Sequence, residues 1–114
     1  MVPGTNLGDS MTDDTGDDLR TALAGLQPEI RQMLAEDLPV DSQRCQDAFA
    51  AQRWGELREY VHRIKGTASF CRLESLKGIC IRIEGGLAAE APPDAEAMAE
   101  FSRQVETVLA DLQL

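Results

Sequence analysis

The sequence predicts an all-α protein, an antiparallel four-helix bundle with short N-terminal helical additions, on three observations. Apolar residues recur at alternating intervals of three and four through most of the 114 residues, the period of a helix with one buried face. Ala and Leu are abundant and aromatic residues make up only 4%, which suits close-packed helices better than a sheet. No strand pattern and no internal repeat breaks the periodicity. A chain of this length supports one core and therefore one domain.

Residues 1–16 (MVPGTNLGDSMTDDTG) are rich in Gly, Asp, Thr and Ser and bury too little apolar surface to offset the entropy of ordering them. They are expected to form a disordered acidic tail, with the bundle occupying residues 17–114. Asp13, Asp14, Asp17 and Asp18 lack the spacing and closing Glu of a calcium loop and suit the positive end of a helix. A short helix is expected over 17–25, with Leu19, Leu23 and Leu26 on one side and Gly25 near its end. Pro28 suits a first helical position, and Ile30, Met33, Leu34 and Leu38 continue the stripe to Pro39, where a break is expected. Cys45, Ala48, Phe49 and Gln52 then carry a helix over 40–53, ending before Trp54 and Gly55.

Leu57, Val61, Ile64, Ala68 and Cys71 repeat at four, three, four and three and define a helix over 54–71. From Leu73 the apolar positions are Leu76, Ile79, Cys80, Ile83 and Leu87, with fraying expected at Gly85-Gly86. Ala91, Pro92 and Pro93 enforce a break. Met98, Phe101, Val105, Val108 and Leu112 mark the last helix over 94–112, with Pro93 and Asp94 suited to its start.

Twenty acidic and eleven basic side chains give a formal charge of −9 and a pI near 4.4, which disfavours nucleic acid and anionic membrane as partners. No apolar run approaches the roughly 20 residues of a membrane span and no secretory signal is visible, so a cytoplasmic location is expected; the chain is also expected to be a monomer. Cys45, Cys71 and Cys80 read as reduced, partly buried small hydrophobes. Three Cys with His62 are just numerous enough for a zinc site, but the paired Cys-x-x-Cys spacing is absent, and no metal is expected.

His62 is the one histidine. At 100° per residue it lies roughly 140° from the centre of the apolar stripe of its helix and should face solvent. Gly66 follows one turn later and Ser69 two turns later on that face, with Arg58 and Lys65 beside it. Gly66 costs about 0.5 to 1 kcal/mol relative to Ala in a helix interior, and it removes the side chain that would obstruct approach to the imidazole. A solvent-exposed imidazole has a neutral fraction near neutral pH whose lone pair is free to attack phosphorus. An ammonium one turn away, Lys65, is placed to neutralise charge on a phosphoryl group; the same spacing also fits a solvated surface histidine with an incidental Lys and Gly, and geometry alone does not choose between them.

The run His62-Arg63-Ile64-Lys65-Gly66-Thr67-Ala68-Ser69 resembles the signature of histidine phosphotransfer (HPt) domains, in which His, two residues, Lys, Gly and small residues follow one another. The downstream Leu76 with Cys80-Ile81-Arg82-Ile83-Glu84 is similar to the family's Leu, Cys, x, x, Leu, Glu pattern, and Trp54 and Leu57 upstream also fit. The resemblance covers roughly residues 28–112. It implies that His62 is phosphorylated on a ring nitrogen, that Lys65 helps neutralise the phosphoryl group and that Gly66 permits docking of a receiver domain. Arg72 stands where many members have Gly, which bears on partner choice.

With no glycine-rich phosphate loop, the chain is expected to be a phosphocarrier without its own ATP site, not an enzyme. The resemblance implies partners in the receiver domains of a hybrid sensor kinase and of a response regulator, which supply the acidic pocket and Mg²⁺. Arg58, Gly66, Ser69, Phe70 and Arg72 are the expected partner contacts, although the angle of Phe70 suits packing on the neighbouring helix somewhat better. The alternative is a helical adaptor that binds a receiver or kinase without accepting phosphate.

Overall fold

A computed structural model describes residues 19–112. The expected tail at 1–16, and Asp17 and Asp18, lie outside the described residues. Five helices follow in order: α1 (residues 19–24), then α2 (Pro28–Ala50), α3 (Trp54–Cys71), α4 (Glu74–Ala88) and α5 (Ala95–Leu112). Among the described residues there is no strand. The helix α3 packs on α2 and α4, and α5 closes the bundle against α2 and α4, diagonally across from α3. Short turns between successive helices leave antiparallel packing as the way to bury all the stripes together.

The core consists of those stripes. Leu34, Leu38, Cys45 and Ala48 from α2 meet Leu57, Val61, Ile64 and Ala68 from α3, Leu76, Ile79, Cys80 and Ile83 from α4, and Met98, Phe101, Val105 and Val108 from α5. No polar or charged side chain is buried among the described residues. Leu23 of α1 is buried too, which ties the short first helix to the bundle.

The expected break at Pro39 does not occur: α2 runs through it from Pro28 to Ala50. Pro39 and Ala35, whose carbonyl loses its helical donor, are both exposed, so water can satisfy the carbonyl. The buried stripe stays in phase across the proline, from Leu34 and Leu38 to Cys45 and Ala48, and its burial outweighs a proline cost of about 3 kcal/mol. The helix also ends at Ala50 instead of residue 53.

Three helices finish in the same way. A left-handed residue follows each of α2, α3 and α4, directly after Cys71 at Arg72 (φ 60°) and one residue further on at Gln52 (φ 57°) and Glu90 (φ 60°). After each, the next amide reaches back five residues: Arg53 to the Ala48 carbonyl, Leu73 to Ala68 and Ala91 to Gly86. These are Schellman closures with a non-glycine residue where glycine is favoured. The pair Gly85-Gly86 does not fray α4, which continues to Ala88. Gly86 serves its closure instead, because a Cβ there would meet the Ala91 carbonyl oxygen at 2.8 Å. Asp94 caps α5, accepting a hydrogen bond from the Ala97 amide at 2.8 Å.

Candidate functional site

The helix α3 has the bounds and face expected from its periodicity. Leu57, Val61, Ile64, Ala68 and Cys71 are buried, and this places His62 on the outer side with 67% of its side chain exposed. The buried stripe of α4, from Leu76 to Ile83, turns Glu84 toward the same surface.

There Glu84 joins two residues of α3. His62 Nδ1 donates to Glu84 Oε2 at 2.6 Å, and Lys65 Nζ lies 2.5 Å from Oε1. The Lys65 ammonium bonded to the Glu84 carboxyl holds it below its ordinary value; His62 acts in the same direction, and burial only partly opposes them. An ionised carboxylate only accepts hydrogen bonds, so Nδ1 carries the proton and the lone pair is on Nε2. His62 is thus oriented by a partner at one nitrogen with the other left accessible.

Arg58, Gly66, Ser69, Phe70 and Arg72 are all exposed. Arg58, Lys65 and Ser69 follow the His62 edge of α3 at helical spacing. A Cβ built on Gly66 meets nothing within 4 Å, so the glycine serves no internal packing. Phe70 is 70% exposed and, instead of packing on a neighbouring helix, edges a groove with Leu26 and Ile30. It does not join the cluster at His62. Arg72 sits at the left-handed position ending α3, where a glycine would be unstrained.

Glu84 is the site residue that sequence reasoning missed. It appeared there only as the end of the downstream motif, and the helix-to-helix register that brings it to His62 is not local information. Ile81, one turn earlier on α4 and 50% exposed, was also passed over; an isoleucine breaking the polar outer face was the available signal.

The zinc alternative is not assembled. Cys45, Cys71 and Cys80 are free and buried, whereas His62 points outward. Among the described residues no three His, Cys, Asp or Glu side chains are grouped to hold a metal ion. Burial, reinforced by Cys80 and Asp41 at Cys45 and by Glu84 against a lowering by Lys65 at Cys80, pushes both thiols up to about 12, which keeps them protonated and unreactive. Among the described residues, no helix is long and apolar enough to cross a membrane.

A family model described as Hpt domain matches residues 29–113. Over 96 residues the chain is 27% identical to Sensor protein GacS of Pseudomonas syringae pv. syringae, covering 84% of this chain and 11% of that protein. The chain therefore spans about one-ninth of that relative's length. No solved structure matches significantly. A helical bundle, a lone outward histidine with its Lys and Gly, and a family match over most of the sequence lead to one conclusion: this chain belongs to the Hpt domain family, the histidine phosphotransfer modules of two-component signalling.

Proposed function

We propose that His62 accepts a phosphoryl group from a receiver-domain aspartate and passes it to the aspartate of a second receiver. The observation carrying this reading is the Glu84 hydrogen bond to His62 Nδ1 at 2.6 Å, which leaves Nε2 as the nucleophile. In the forward step the Nε2 lone pair forms the N–P bond as the aspartyl O–P bond breaks, and the aspartate carboxylate leaves with the electron pair. Nδ1 keeps its proton, so positive charge develops on the ring next to the Glu84 carboxylate. Glu84 orients the ring and offsets that charge. It is a positioning residue.

Lys65 has a second task in this reading. At rest it is bound to Glu84; its four-carbon stem lets it turn to the phosphoryl oxygens once they arrive. Gly66 keeps the approach to Nε2 open, and Arg58, Ser69, Phe70 and Arg72 contact the partner. Mg²⁺ and the acidic pocket belong to the receiver. A hybrid sensor kinase and a response regulator would supply the two receivers, with this chain a cytoplasmic monomer and phosphocarrier that has no ATP site of its own. Incubation with a phosphorylated receiver should give an acid-labile, alkali-stable label on this chain that is absent from His62→Gln. Label persisting in that variant would overturn the assignment to His62, and binding without any label on the wild type would leave the adaptor reading, in which binding occurs without transfer.

A further inference from the structure

Charge is segregated over the bundle. Residues 54–88, which make α3, α4 and their turn, carry six basic and four acidic side chains. The other described residues carry five basic and eleven acidic ones. One side of a chain with net charge −9 is therefore positive on balance.

Ion pairing sharpens the contrast. Arg44 and Arg63 share Asp41, and Arg103 pairs with Glu100. Arg58, Arg72 and Lys77 have no carboxylate within 4.0 Å among the described residues, as is also true of Arg20, Arg31 and Arg82 away from the His62 edge. Arg58 lies on the His62 edge of α3, Arg72 directly follows that helix, and Lys77 lies two turns before Glu84 on the same edge of α4. Glu84, the acidic group between these edges, is already bonded to His62 and Lys65. Arg58, Arg72 and Lys77 thus flank the His62 and Glu84 edges without an ion-pair partner, with exposed Glu59 and Glu74 one turn from His62 and Lys77. Diagonally opposite, α5 carries Glu96, Glu100, Glu106 and Asp111 against a single Arg103.

We propose that the rim formed by Arg58, Arg72 and Lys77 is an electrostatic docking surface for a protein partner presenting clustered carboxylates, and that it directs such a partner onto His62 despite the chain's overall acidity. This rests on the phosphocarrier reading for its biological use. The physical basis is range: at about 0.1 M salt the Debye length is about 10 Å, so at close approach the facing patch outweighs charge on the far side of the bundle. The acidic α5 side repels the same partner, which selects orientation as well as rate.

The two descriptions of this chain predict opposite signs. A uniformly acidic protein associates faster with an acidic partner as salt is added, because repulsion is screened. A patch-steered one associates more slowly. Decaglutamate serves as the first probe: at low salt its amide shift changes should centre on Arg58, Arg72 and Lys77 and vanish by about 0.3 M salt. No binding, an even spread of changes, or a centre elsewhere overturns the proposal. The second probe is any receiver that exchanges phosphate with His62. Its association rate should fall roughly tenfold from low salt to about 0.3 M. Arg58→Glu with Lys77→Glu should slow association by a similar factor at low salt, while Arg103→Glu should not. A rate that rises with salt, or equal effects of the variants, contradicts the proposal. If no receiver exchanges phosphate, the phosphocarrier reading fails, and the peptide titration still decides the docking surface.

Discussion

Glu84 of α4 and His62 of α3 are joined through Nδ1 at 2.6 Å, although 22 residues separate them in sequence. The contact fixes the ring, assigns its proton and leaves Nε2 toward solvent. Lys65 on the other oxygen makes the carboxylate a shared anchor for two side chains of α3.

Replacing Glu84 by Gln should therefore slow phosphoryl transfer about 10- to 100-fold while costing no more than about 1 kcal/mol of stability, as expected for a largely peripheral ion pair. Single-turnover transfer and ¹⁵N shifts of the His62 ring check this together. The shifts should show the ring losing its single Nδ1-protonated tautomer, which a merely structural change would not produce.

The Glu84 carboxyl is held low in the folded chain, first by Lys65, so below neutrality the folded state binds fewer protons at this site than the unfolded state. The resulting stability is complete above the ordinary carboxylate value of about 4.3 and is lost as pH falls through the depressed folded value. The urea midpoints of wild type and Glu84→Gln should stay separated from neutral pH to about pH 5 and converge below it. A gap unchanged down to pH 2 would contradict the assignment.

Gly66 separates stability from function. A Cβ at Gly66 meets nothing within 4 Å, so Gly66→Ala should stabilise the fold by about 0.5 to 1 kcal/mol. Gly66→Leu should remain folded yet slow transfer at least about tenfold by obstructing the partner, equivalent to about 1.4 kcal/mol. Thermal melts beside transfer rates test both.

The left-handed residues closing α2, α3 and α4 give a further expectation. Relief of the αL conformation, worth about 1 to 2 kcal/mol, is partly offset by the added freedom of glycine in the unfolded chain. Arg72→Gly should gain about 0.5 to 1 kcal/mol by denaturant unfolding, and Gln52→Gly and Glu90→Gly similar amounts. A loss at all three would mean that their side chains contribute more than their backbone strain costs.

Most of the bundle was legible because each stripe is a local pattern. The bounds of α3 follow from Leu57 to Cys71 alone. Pro39 was misjudged because a local rule for proline does not register that its ring faces water while the buried stripe continues beneath it. The outward direction of His62 was readable from one helix, as were the neighbouring Lys65 and Gly66. The partnership with Glu84 was not, since it depends on how α3 and α4 align. Phe70 stood between two faces by angle alone, and only packing showed it open to solvent.

The central claim is that phosphate resides on Nε2 of His62 because Glu84 holds Nδ1. Heteronuclear ³¹P and ¹⁵N NMR of the chain, uniformly ¹⁵N-labelled and phosphorylated by a receiver, reads the linkage directly. Phosphorus coupled to Nε2 of His62 is the expected result; coupling to Nδ1, or phosphate on any other residue, would contradict it.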